Sequence, residues 1–153
     1  MADETLSPLI ISLKVAGLAT VMTFFLGIAL AYGVLQLRSR LASTIADAVI
    51  TLPLVLPPTV VGFFLLLLLG KRSAIGSALL ALDLPLVFTW RAAVIAAVIV
   101  SLPLMYRTAR GAFEALDQNM IHAAQTLGVS NGRIFWRIIV PNARHGILAG
   151  LVL

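Results

Sequence analysis

Between Lys14 and Arg38 the chain runs for 23 residues without a formal charge, "VAGLATVMTFFLGIALAYGVLQL". Between Asp47 and Lys71 it does so again, with the 23 residues "AVITLPLVLPPTVVGFFLLLLLG". An α-helix rises about 1.5 Å per residue, so roughly 20 apolar residues cross the hydrocarbon of a bilayer. A third segment, "VFTWRAAVIAAVIVSLPLMY" at 87–106, carries one charge, Arg91, near an end where a long side chain can reach the headgroups. The rest of the composition agrees. Of 153 residues, 61% are hydrophobic and 11% charged, whereas a soluble domain carries about 25% charged residues. The class is all-α integral membrane. Spans are expected at about 9–37, 46–70 and 87–106, with the start of a fourth at 143–153. The final "GILAGLVL" is too short to cross a bilayer, so the chain is expected to be cut short inside its fourth span.

Charge placement predicts orientation. Arg38, Arg40, Arg107, Arg110, Arg133, Arg137 and Arg144 fall on one side of these spans, and Lys71, Arg72 and Arg91 on the other, opposed by Asp83. The arginine-rich side should face the cytoplasm, which puts the N-terminus outside. "MADETLSPLI" is acidic and offers no cleavage site, so the first span is read as part of the mature protein. Basic residues beside hydrophobic spans read as topology signals and give no reason to invoke nucleic acid.

Much chemistry is excluded. There are no cysteines and only two histidines, His122 and His145, so no thiolate or histidine-rich metal site is expected. Lys71 follows Gly70, but the upstream glycine of a phosphate-binding loop is missing and Arg72 fills the Ser/Thr position. No catalytic constellation emerges and no cofactor is expected on this chain. Asp47, Asp83, Glu114 and Asp117 are scattered, and none reads as a mid-span proton relay, which argues against a secondary anion carrier.

Two local patterns stand out. Pro53, Pro57 and Pro58 lie inside the second span. Each removes a backbone donor and crowds the preceding turn, so a broken helix beside a translocation path, with the prolines as hinge candidates, competes with a static kink. The first span carries Gly17, Ala19, Gly27, Ala29, Ala31 and Gly33, small enough for close helix contact. The second pattern is a polar segment at about 110–141. Asp117 can cap a short helix, Gly128 suits the left-handed position after its end, Ser130 can cap the next helix, and Pro141 interrupts that one. Ala123, Ala124 and Leu127 then form a small-residue patch fit for a groove on another protein, while Phe135, Trp136, Arg133 and Arg137 equally suit a helix lying on lipid.

The spacing in this segment resembles the EAA loop of type I ABC importer permeases: E-A-A, three residues, G, nine residues, then I-x-L-P. Here it reads His122-Ala123-Ala124, three residues, Gly128, nine residues, then Ile138-Ile139-Val140-Pro141. His122 replaces the usual glutamate and Val140 the leucine. "LPLVLPPTVVGFFLLLLLG", "VFTW" and "SLPLMYRTARGAFEALD" are similar to the molybdate importer branch. The resemblance implies a permease-like helical bundle for an oxyanion, molybdate or its relatives sulfate, thiosulfate and tungstate. It implies a coupling helix at His122, Ala123, Ala124, Leu127 and Gly128 that docks on a separate ATPase, closed by Ile138 and Pro141. It further implies a second permease copy, two ATPase subunits that bind the ATP, and an external oxyanion-binding protein, all at the bacterial inner membrane. A membrane anchor that recruits a soluble partner without transporting is the rival from another class.

Overall fold

The computed structural model describes residues 2–70, 73–81 and 88–152; Lys71, Arg72, Asp83 and Val87 lie outside the described residues. Among those described, all regular structure is helical. Helix α1 spans Ala2–Leu35, α2 Arg40–Val55, α3 Pro58–Leu69, α4 Ala74–Ala81 and α5 Trp90–Glu114. Short helices α6 (Gln118–Thr126) and α7 (Asn131–Ile134) follow, then a π-helical turn at Phe135–Ile139 and α8 at Val140–Val152. Pro8–Leu35 of α1 and the whole of α5 are long and apolar enough to cross a membrane. Several bounds differ from expectation. Helix α5 runs on to Glu114, so Arg107 and Arg110 sit on a helix wall, not in a connecting segment.

The α1–α5 pair is the spine of the bundle, and its contact is built on small residues. Ala19, Thr23 and Ala31 of α1 are buried, and Gly27 completes this four-residue stripe. A methyl placed on Gly27 would lie 2.6 Å from Met105 Cγ and 3.3 Å from the Met105 backbone carbon, so α5 occupies the space of the missing side chain. Gly17 and Gly33 face open space, so they take no part in this contact. In lipid, where burial from water does not drive helices together, such close approach supplies the dispersion attraction that does. Helix α8 repeats the device with Gly146 and Gly150, which meet Ala112 and Thr108 of α5. One apolar cluster joins the C-terminal halves of α1 and α5 to α6, α7 and α8 through Ala31, Tyr106, Phe113, Ala124, Ile134 and Ala143. A smaller one, Ala19, Val94 and Val98, joins the other ends.

The segment expected as the second span is two helices, α2 and α3, at a bend of 110°. Pro53 sits inside α2 without ending it. The break falls at Leu56 and Pro57, because each precedes a proline, whose ring disfavours helical geometry in the residue before it. Both are accordingly extended, Leu56 at φ −77°, ψ 139° and Pro57 at φ −55°, ψ 140°. Pro58 then opens α3 in its first turn, where a missing N–H breaks no helical bond.

Pro141 does not interrupt its helix. The chain stays helical from α7 through α8, and the π turn takes up the strain, with the Val140 N–H bonding the Phe135 carbonyl five residues back. The Asn142 side chain donates to the Ile138 carbonyl at 2.7 Å.

Candidate functional site

Helix α6 hangs three residues beyond α5, and local chemistry fixes both its ends. The Asp117 carboxylate accepts from the Asn119 N–H at 2.9 Å, satisfying a first-turn amide. At the other end Gly128 adopts φ 74°. The Gly128 N–H donates to the Gln125 carbonyl at 2.9 Å and the Val129 N–H to the Ala124 carbonyl at 3.2 Å, the paired closure of a helix ended by a left-handed glycine. Ser130 occupies the position before α7, but its side chain caps nothing.

The segment has an inward and an outward face. Ala124 is buried in the main cluster, with Ile121 and Val129 packed beside it. His122, Ala123 and Leu127 face out, and Leu127 is 82% exposed. Sequence spacing grouped Ala124 with the outward patch; the fold turns it toward the chain's own core. The His122 ring shares a 3.3 Å hydrogen bond with Gln125, so it is held along the helix surface. Behind α6 a cavity of about 380 Å³ is lined by Tyr32, Gln36, Arg38, Phe113, Gln125 and Asn131. Tyr32 packs against Phe135 with ring centroids 4.2 Å apart and planes tilted by 44°, and it reaches the Asn131 carbonyl at 3.5 Å, tying the end of α1 to the segment that contains Ile138 and Pro141.

Two polar groupings escaped sequence reasoning. Asp47 of α2 accepts from both the Tyr106 hydroxyl and the Arg110 guanidinium of α5. The same guanidinium donates to Tyr106 at 2.9 Å and through Nε to Glu114 at 2.7 Å. The signal was present: Tyr106, Arg110 and Glu114 recur every four residues, hence on one helix face. Halfway along the bundle, the buried Thr23 shares a 3.0 Å hydrogen bond with the exposed Ser101 beside a cavity of about 290 Å³. At the far end, Lys14 lies 4.1 Å from the centre of the Trp90 ring and Arg91 5.7 Å from it, a cation–π pairing that joins α1 to α5.

Residues 10–153 match the family described as binding-protein-dependent transport system inner membrane component. The chain belongs to this family. It is therefore a permease subunit of an ABC importer and a multi-pass inner-membrane protein; the ATPase is a separate partner, as is a binding protein. Among relatives, the permease is 40% identical over 153 residues to YvgM of Bacillus subtilis, a protein named for molybdenum transport, covering 99% of this chain and 67% of that one. It is 38% identical over 154 residues to the molybdenum transport system permease protein ModB of Escherichia coli, covering 100% of this chain and 67% of the relative. The sulfate transport system permease protein CysW of Synechocystis sp. is 37% identical over 106 residues, 69% of this chain and 38% of its own length.

Proposed function

We propose that the permease forms the membrane path of an ATP-driven molybdate importer and receives the work of ATP through α6. Two copies of the chain, two ATPase subunits and an external molybdate-binding protein make up the working assembly. The arginine-rich end of the bundle faces the cytoplasm, and the N-terminus lies outside. The observation that carries the coupling role is α6 itself: a helix capped at both ends, seated on the core by Ala124, and presenting Ala123 and Leu127 outward. An exposed leucine beside an alanine is a surface suited to a groove on a soluble partner. Family membership and the molybdenum-transport relatives support the substrate. ATP binding in the partner then biases the permease between inward- and outward-open arrangements, because one of them fits the closed ATPase better.

The test is molybdate uptake into proteoliposomes holding the permease with its ATPase and binding protein, with sulfate as competitor. Uptake that sulfate in excess leaves intact supports molybdate; uptake abolished by sulfate moves the assignment to the sulfate branch. Ala123→Arg and Leu127→Arg should each abolish co-purification of the ATPase. Retained assembly in both refutes docking through α6.

A further inference from the structure

Helix α2 is weakly seated by apolar packing. It contributes no buried residue, and only Ala46 and Ile50 rest on the main cluster. Its polar tie to α5 is Asp47, the single acidic residue in α2, which the Arg110 guanidinium and the Tyr106 hydroxyl both hold. Arg110 also holds Glu114, the last residue of α5, and only Ala115–Asp117 separate that residue from α6. The Glu114 pair lies within α5, so the tie between elements is Arg110–Asp47: it joins the arm that runs to the 110° bend at Leu56 and Pro57 to α5, the stem from which α6 hangs. A planar fork can bridge two carboxylates; an ammonium is a point charge and cannot do so in the same geometry.

We propose that Arg110, with Asp47 and Tyr106, is a positioning residue that makes the bent α2–α3 arm move with α6. This rests on the reading of α6 as the helix that takes up the ATPase's motion. The ion pairs are partly exposed, with side-chain exposures of 22% for Arg110 and 32% for Asp47, so water can reach and exchange them. A tie of that kind transmits displacement yet can reform in a second arrangement.

The experiment uses the permease assembled with its ATPase subunits in proteoliposomes, with molybdate as the probe and two readouts. The first is molybdate moved per ATP hydrolysed. The second is the distance between spin labels at exposed Val49 in α2 and Asn119 in α6, with and without ATP. Asp47→Asn and Arg110→Lys should leave assembly and hydrolysis intact while lowering molybdate per ATP by about fivefold, the low end of ordinary coupling between sites. Both should make the label distance vary independently of nucleotide. Asp47→Arg combined with Arg110→Asp should recover at least half of each loss. The proposal is overturned if the single variants keep the wild-type ratio and the nucleotide-dependent distance, or if uptake and hydrolysis fall in parallel, as for a packing defect. If the unsubstituted assembly moves no molybdate, the substrate reading fails, and the label distances still decide the role of Arg110.

Discussion

Replacing Gly146 by alanine should destabilise the permease, although glycine-to-alanine inside a helix ordinarily stabilises by up to about 1 kcal/mol. The structure supplies the reason. The new methyl would stand 2.5 Å from Ala112 Cβ and 3.4 Å from Ala112 Cα, and neither atom belongs to a side chain that can swing away. Carbon atoms settle at about 3.5–4.0 Å, so α8 must retreat from α5 by about 1 Å. That retreat also loosens the seat of Gly150 against Thr108 one turn along. Overpacking of this kind costs about 1–3 kcal/mol. Equilibrium unfolding of the purified permease in detergent–lipid micelles reads the change. Two comparisons isolate the cause. Gly17→Ala, where the methyl meets nothing within 4 Å, should stabilise instead. Ala112→Gly combined with Gly146→Ala should recover much of the loss, with a coupling of roughly 0.5–3 kcal/mol between the two sites. If Gly146→Ala stabilises like Gly17→Ala, or if the two substitutions simply add, the close α5–α8 contact is wrong.

Gly128→Ala should cost about 1–2 kcal/mol, because φ 74° is a left-handed conformation that strains any Cβ; the same unfolding titration checks it. Asp117→Ala, which removes the α6 cap, should cost about 1 kcal/mol and speed amide exchange at Asn119. Thr23→Val keeps the shape but breaks the hydroxyl pair with Ser101, for a loss near 0.6 kcal/mol, the average for hydrogen bonds between membrane helices. Pro57→Ala with Pro58→Ala frees Leu56 to become helical, so spin labels at Val49 and Leu67 should move apart as the 110° bend opens.

What the residues declared in advance was what depends on near neighbours. The apolar runs required membrane helices, Asp117 and Gly128 carry their capping chemistry within a few residues, and the consecutive prolines pointed to a break or a kink, which the structure resolves as a bend at Leu56 and Pro57. The size of the bend was not legible, since nothing local sets it. The direction of Ala124 was not legible either: an alanine looks equally suited to a partner's groove and to the chain's own core, and only its burial in the main apolar cluster decides. The Asp47–Arg110 pair joins residues 63 apart in sequence, so each alone looked like a stray charge. Of the α1 glycines, Gly27 meets α5, while Gly17 and Gly33 face open space. Pro141 misled for the opposite reason. Its local effect is real, but a π turn absorbs it.

That π turn sets the phase of everything after it. The buried residues from just before it, through its last residue and beyond are Ile134, Ile139, Ala143 and Ile147, a spacing of five and then two of four. One surplus residue in a helix rotates all that follows by about 100° relative to an uninterrupted α-helix. Gly146 and Gly150 meet α5 because of that rotation. Deleting a single residue from Phe135–Ile139 would leave both glycines in the sequence and turn them away from α5, so the π turn acts as an angular offset between the α6–α7 segment and the bundle.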